Sequence, residues 1–407
     1  MSMMDSLAKS SDSTPDAPIL PEVLHVGRPN LGNREAFDRR VAAIWENNWL
    51  TNNGPFVQEF EQRIAEHVNV RHCVCMCNAT VALEIATRAI GLTGEVIVPS
   101  FTFVATAHAL QWQEIQPVFC DIDPLTHNLD ARCVEQLITP RTSGIIGVHL
   151  WGRPCDTNAL QAVADRHGLK LLFDAAHAFG CSRQGRMIGG FGRAEVFSFH
   201  ATKFVNAFEG GAVVTDDDEL AEKMRLMRNF GFSGLDHVIH VGTNGKMSEV
   251  SAAMGLTSLE SLDEFVNVNR RNWQSYHDHL ADLPGVTVLP YDAQDHPNYQ
   301  YVVLEIDEAA TGISRDQLME KLHAANVRAR RYFWPGVHRM EPYRSLYPKS
   351  HLWLPHTEEV ASRVLLMPTG TAVNEQTIET ICRLIRQIVE RAVTQQPHHP
   401  MHSRSIP

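Results

Sequence analysis

The 407-residue sequence has no block of basic residues, no CxxC pair and no apolar run of about 18 residues. Each absence removes a class of function. Lys plus Arg number 36 against 47 Asp plus Glu, a formal charge of −11 with neutral His, so the basic face that grips a nucleic-acid backbone is missing. Without a long apolar run, no membrane-spanning helix is expected. The opening Met1-Ser2-Met3-Met4-Asp5 lacks a basic region followed by an apolar stretch, so no signal peptide is expected either. Hydrophobic, aromatic and charged fractions of 44%, 8% and 20% fit an ordinary globular chain and exclude wholesale disorder, collagen and a simple coiled coil. Eight cysteines are present, and most sit within apolar segments. Cys73, Cys75 and Cys77 alternate along a strand-like run and share one face, where a zinc site would need ligands from two directions. Reduced structural thiols, no metal and a cytoplasmic setting are therefore expected, in a protein that acts on small molecules.

Residues 1–20, rich in Ser, Asp and Pro, and the His- and Pro-containing tail 395–407 are expected to be disordered. Between them the pattern alternates. Strands are predicted at 72–77, 95–98, 116–122, 144–148, 170–174, 194–199 and 211–215, with helices at 34–48, 80–90, 104–112, 157–167 and 217–229. Short, continuously apolar strands separated by helices describe a mostly parallel sheet buried on both faces. One long amphipathic helix is predicted from about 250 towards 282, then a strand at 299–306 and helices at 314–325 and 375–392. The expected architecture is α/β, with a large domain at 21–264 and a small C-terminal α/β domain at 265–394.

Parallel sheets bind ligands outside the carboxyl ends of their strands. Asn78-Ala79-Thr80 opens a helix after the first strand, either as an anion site or as a simple cap. Phe101 and Phe103 follow the second strand, as core residues or as the cover of a planar ligand. Asp174 ends a buried strand, where a carboxylate needs a cation or a helix N-terminus to meet it. Lys203 lies five residues past Ser198 and 29 past Asp174, among apolar and small neighbours. One ligand satisfies the whole set: planar, anionic at one end, cationic at a ring atom and bearing an aldehyde. That ligand is pyridoxal 5′-phosphate (PLP), with Lys203 as the amine that bonds its aldehyde and Asp174 as the partner of its ring nitrogen.

Asp174-Ala175-Ala176-His177, Ser198-Phe199-His200-Ala201-Thr202-Lys203 and Glu209-Gly210-Gly211 together closely resemble the DegT/DnrJ family of nucleotide-sugar aminotransferases. The resemblance runs from about Leu50 to Thr369. It also takes in Ser100-Phe101-Thr102-Phe103-Val104-Ala105-Thr106 and Asn244-Gly245-Lys246-Met247-Ser248-Glu249. It implies the aspartate aminotransferase-like fold (fold type I), with a mostly parallel seven-stranded sheet, and a homodimer with active sites shared at the subunit interface. It further implies that His177 lies by the ring hydroxyl, that Phe103 stacks on the ring, and that Ala79, Thr80 and Ser198 hold the phosphate. Asn244 would reach the neighbouring subunit's phosphate. Two motifs depart from the family pattern: Ala79 stands where glycine is usual, and Gly245-Lys246 stands where an aromatic and an arginine are usual.

The implied reaction moves an amino group from L-glutamate to a nucleotide-linked keto sugar, with Lys203 passing the proton. The turn Asn52-Asn53-Gly54-Pro55-Phe56, with the Lys203 and Glu209 motifs, resembles members that aminate C4 of dTDP-4-keto-6-deoxyglucose for O-antigen or antibiotic sugars. Arg331, Tyr332 and His338 either line the sugar-nucleotide site or belong to a surface loop. Other nucleotide keto sugars, a non-catalytic regulator and a dehydratase of the same fold remain as alternatives. Lys203 argues against the last, because the family's dehydratases carry histidine there.

Overall fold

Seven strands form one sheet: β1 (His72–Met76), β2 (Glu95–Pro99), β3 (Gln116–Cys120), β4 (Thr142–Val148), β5 (Lys170–Asp174), β6 (Ala194–Ser198) and β7 (Gly211–Thr215), in the order β1-β7-β6-β5-β4-β2-β3. Only β7 runs antiparallel to its neighbours; every other pairing is parallel. The computed structural model describes residues 19–395, Ala293 excepted, so the expected disordered ends lie outside it apart from residues 19, 20 and 395. The strands are buried along almost their whole length because helices cover both faces. One face packs α3 (Ala79–Ile90), α4 (Ala105–Gln111) and α6 (Asp218–Met227) against Val74, Val98 and Val196. Against Ile97, Ile145 and Leu171 on the other lies α5 (Thr157–His167). The predicted elements at 157–167, 170–174 and 211–215 match to the residue.

Both sheet edges are closed by side chains, which keeps them from pairing with other chains. At β1 the Cys75 N–H donates to Glu61 Oε1 at 2.7 Å, and the Cys75 carbonyl accepts from Arg228 Nη1 at 2.7 Å. Arg228 also pairs with Glu61 itself and donates to Asn53 Oδ1 at 2.9 Å. At β3 the Phe119 carbonyl accepts from Trp353 Nε1 at 3.0 Å.

Two helices precede the sheet, α1 (Arg34–Asn47) and α2 (Pro55–Val68). The latter starts at Gly54, which has no capping side chain. Glu249 does that work from a distance, accepting from Phe56 N at 2.8 Å and Val57 N at 3.0 Å. Glu249 opens α7 (Glu249–Glu260), after which the single long helix expected from the sequence breaks. Ser261, at φ −101° and ψ 11°, separates it from α8 (Leu262–Leu280). The break has a physical reason. Nearly every residue of α7 is buried, and Gly255 seats the Phe60 ring so closely that a Cβ would lie 2.5 Å from it, whereas α8 keeps a wet face. The chain changes environment at Ser261 and changes direction with it.

The C-terminal part holds three antiparallel strands, β8 (Val286–Val288), β9 (Val302–Ile306) and β10 (Val364–Met367), in that order. They pack with α8, α9 (Arg315–Ala324) and α10 (Glu375–Gln395) around Tyr276, Leu304, Leu322, Ile381 and Ile385. The segment at Leu24, expected with the large domain, runs beside this smaller unit. Leu24–His25 pairs in parallel with Val327–Arg328, and Leu24 is buried in the small core.

Arg228 is buried and serves both Glu61 and the β1 edge, so Arg228→Met should cost about 3–5 kcal/mol in denaturant unfolding. Adding Glu61→Gln should recover part of that loss, because the stranded charge is then gone. Equal midpoints for wild type and Arg228→Met would show that the edge does not depend on this pair.

Candidate active site

A cavity of about 270 Å³ opens at the carboxyl ends of β1, β5 and β6. Asn78, the residue before α3, turns its side chain back to accept from Val81 N at 2.9 Å and so caps the helix. The N–H groups of Ala79 and Thr80 have no protein acceptor among the described residues, and both residues line the cavity. Free N–H groups at a helix N-terminus are what an anion needs, so this cap could hold one. Ala79 is helical, so the usual glycine is not required by its backbone conformation. The glycine that matters lies opposite: a Cβ on Gly211 would come within 2.5 Å of Ala79 N. Ser198, the last residue of β6, lines the same region.

Asp174 ends β5 with 5% of its surface exposed. Oδ2 accepts from Thr106 Oγ1 at 2.8 Å and Oδ1 from Ala176 N at 3.1 Å. No ion pair reaches it among the described residues. Burial pushes its pKa up, and the two hydrogen bonds, with Lys203 and His149 at longer range, pull only partly the other way. A cationic ring nitrogen is the partner this carboxylate lacks.

Lys203 follows β6 in a tight turn, its N–H donating to the His200 carbonyl at 2.8 Å. Its Nζ donates to the Tyr301 hydroxyl at 3.2 Å. Burial lowers its pKa to about 8, against the upward pull of Asp174. The amine can therefore be neutral, and nucleophilic, at mildly alkaline pH. Burial also drives the His177 pKa well down, and the Lys203 charge adds to this, so His177 is a neutral ring. Its Nδ1 accepts from Trp151 N at 3.4 Å, and its ring runs nearly parallel to those of Trp151 and Phe333, 5.9 and 6.0 Å away.

Phe101 and Phe103 divide the two roles that the sequence left open. Phe101 is 1% exposed and belongs to the core, while Phe103 is 57% exposed and presents its ring to the cavity. Tyr332 lines the cavity too. Three candidates do not. Asn244 is exposed on a loop whose backbone bridges to Asn229. Arg331 pairs with Asp316 at 2.9 Å. His338 is buried, with Nδ1 2.7 Å from Ser100 Oγ and Nε2 3.1 Å from Glu358, and ties its loop to the end of β2. Sequence reasoning missed Tyr301, Thr106 and Phe333. Thr106 stood within a quoted motif, but nothing in spacing pairs it with Asp174, and Tyr301 lies 98 residues beyond Lys203 in another unit of the chain.

The set fits PLP. There are unpaired N–H groups for a phosphate, an exposed ring to cover a planar group, a carboxylate lacking a cation, and an amine that can lose its proton.

The DegT/DnrJ/EryC1/StrS aminotransferase family profile matches residues 32–386. The chain is 37% identical over 367 residues to the dTDP-4-amino-4,6-dideoxy-D-glucose transaminase of Escherichia coli, covering 89% of this chain and 98% of that one. Identity to the GDP-perosamine synthase of Caulobacter vibrioides is 35% over 373 residues, 90% of this chain and 98% of the other. The crystal structure of DesI in the presence of its TDP-sugar product superposes with a TM-score of 0.89 at 53% identity, covering 93% of this chain and 96% of DesI.

In cofactor-free protein, only the neutral Lys203 amine can capture the PLP aldehyde. The capture rate should climb with pH and level off above about 8. Asp174 raises the Lys203 pKa, so Asp174→Asn should move that plateau to lower pH. A wild-type profile still climbing towards the ordinary lysine value of 10.5 would show that burial does not act on this amine.

Proposed function

The chain belongs to the DegT/DnrJ/EryC1/StrS aminotransferase family, and from that premise we propose that it aminates C4 of dTDP-4-keto-6-deoxy-D-glucose, with L-glutamate as donor, to give dTDP-4-amino-4,6-dideoxy-D-glucose. What carries the reading is one cavity that holds the Lys203 amine and the Asp174 carboxylate, in a chain that matches a transaminase so named along 98% of that protein. DesI with a TDP-sugar product supports the dTDP linkage.

The cofactor is PLP, which when bound supplies an aldehyde for amines and a protonated ring that takes up electrons from the donor Cα. Every other contribution comes from side chains. Lys203 holds the aldehyde at rest. Once displaced by the donor amine, its Nζ would take the proton from the donor Cα and pass it to the cofactor's carbonyl carbon, and in the second half-reaction would move a proton from that carbon to C4 of the sugar. Asp174, held by Thr106, keeps the ring nitrogen protonated. His177, a neutral ring, would meet the ring hydroxyl as a hydrogen-bonding group without charge. Ala79, Thr80 and Ser198 hold the phosphate, and Phe103 covers the ring face. Tyr332 is the one of the three candidate sugar contacts that the cavity supports.

We place the complete site in a homodimer in the cytoplasm, with residues 21–264 as the cofactor domain and 265–394 as the small domain. Exposed Trp45, Trp49 and Leu50, and the loop carrying Phe230, Leu235 and Val241, supply apolar surface for such an interface. Asn244, exposed where that loop ends, would reach a partner's phosphate. The product would serve O-antigen or antibiotic sugar assembly.

Lys203→Ala should abolish the visible absorption of the lysine-bound cofactor and lower turnover by about 10²–10⁴-fold or more. Retained ping-pong transamination would sink the assignment. In a panel of keto sugars the wild-type protein should convert the dTDP-linked 4-keto-6-deoxyglucose with the highest kcat/KM. Preference for a GDP-linked 4-keto sugar would transfer the reading to the GDP-perosamine type.

A further inference from the structure

A second, much smaller cavity of about 20 Å³ lies on another side of Lys203, between the two units of the chain. Val26, Gly27, Thr202, Lys203 and Tyr301 line both cavities and so form the wall between them. The small chamber is polar in an unusual way. Asn269 is 1% exposed, and its Nδ2 donates to the Asn298 carbonyl at 3.3 Å, which fixes the amide's orientation and leaves Oδ1 as an acceptor with no donor among the described residues. Gln300 is 8% exposed, and its Nε2 is a buried donor with no acceptor among them. The Gln300 side chain comes near enough to the Tyr301 oxygen to pull that hydroxyl's pKa down against the larger effect of burial, yet no aligned hydrogen bond forms.

Two such groups left bare would cost about 1–3 kcal/mol each. A cavity needs about 10–15 Å³ of this kind of volume, and two or more polar partners, to hold a water. The chamber meets both conditions for one water, which would donate to Asn269 Oδ1 and accept from Gln300 Nε2. Arg28, exposed and lining the same chamber, marks its side towards solvent. Tyr301, whose hydroxyl is 3.2 Å from Lys203 Nζ, lines the chamber as well, and the water would also accept from that hydroxyl.

We propose that this chamber holds one ordered water, and that Asn269 and Gln300 position it as a port through which the Lys203 amine exchanges its proton with solvent behind the main cavity. The inference rests on the reading that Lys203 carries the substrate proton. Exchange is neutral: one hydron leaves the Lys203 ammonium through the Tyr301 hydroxyl to the water, and one returns from the water. No charge or electron moves. Its consequence is isotopic. A proton taken from the donor Cα sits on Lys203 only briefly before the port replaces it, so donor hydrogen is lost to solvent with each amino transfer.

The holoenzyme in D₂O, with L-glutamate and carbon-labelled 2-oxoglutarate, reports both events in one NMR experiment: loss of the glutamate Cα–H and exchange of the amino group between carbon skeletons. Wild type should lose nearly one Cα–H per amino exchange. Gln300→Met, an apolar side chain of similar length that offers the water no donor, should lower that ratio. Asn269→Leu removes the acceptor from the other side and keeps the proposal testable if Gln300→Met is poorly folded. A crystal structure of the wild-type protein should show ordered solvent between Asn269 and Gln300, absent in Gln300→Met. An unchanged ratio in both apolar variants, or a dry wild-type chamber, overturns the port. Absence of amino exchange in the wild type would overturn instead the aminotransferase reading on which it rests.

Discussion

A carboxylate buried at the end of the central strand without a cation beside it is the constraint around which the site is organised. Asp174 takes two hydrogen bonds, from Thr106 and Ala176, and still sits with its pKa raised, because they do not repay the loss of water. Lys203 shares the cavity and is pushed the opposite way. Each group alone is an expense of folding, of a size that a buried sheet with capped helices can absorb. Together they define what would relieve them: a cation for the one and an electrophilic carbon for the other.

The strain is borne by parts of the chain far from the sheet. Tyr301, just before β9, supplies the hydroxyl at Lys203, and Tyr332 and Phe333 come from the loop after α9. That loop is held down on the strand ends by two clasps. His338 meets Ser100 after β2, and Val337 N donates to the Ser100 carbonyl at 3.0 Å. Asp121, just past β3, accepts from the N–H groups of His356 and Thr357 at 3.0 and 2.7 Å. These contacts fix the small unit relative to the large one, and the cavity exists only where the two meet. His338 therefore matters as a strut, although its sequence position also suited a sugar contact.

The sheet was legible because its signal is local. A strand buried on both faces must be apolar throughout, and β5 and β7 announce themselves within five residues. The order of Asp174, Ser198 and Lys203 on successive strand ends was legible for the same reason, since parallel topology brings those ends together. What failed to read was set by contacts between distant segments. The apolar pattern through residue 261 does not reveal that α7 is buried along most of its length while α8 keeps a wet face. Glu249 as the cap of α2 and Thr106 as the donor to Asp174 depend on side chains meeting across 193 and 68 residues, which no periodicity encodes. Tyr301 was visible only as one more aromatic in a strand.

The two perturbed groups are also coupled in a direction that suits transamination. The Asp174 charge raises the Lys203 pKa, while burial lowers it, and the balance stands at about 8 in the protein alone. When the carboxylate is paired with a ring cation, its upward pull on Lys203 is offset and burial is left less opposed. The Lys203 amine then favours its neutral form at lower pH than before. A base works best when its pKa lies near the working pH, so seating the cofactor moves Lys203 towards the range in which it can take a proton from carbon. In the proposed site Asp174 would thus act twice, directly on the ring nitrogen and indirectly on the amine. Removing its charge while keeping its shape would disturb the electron sink and leave the amine no more basic than in the loaded site.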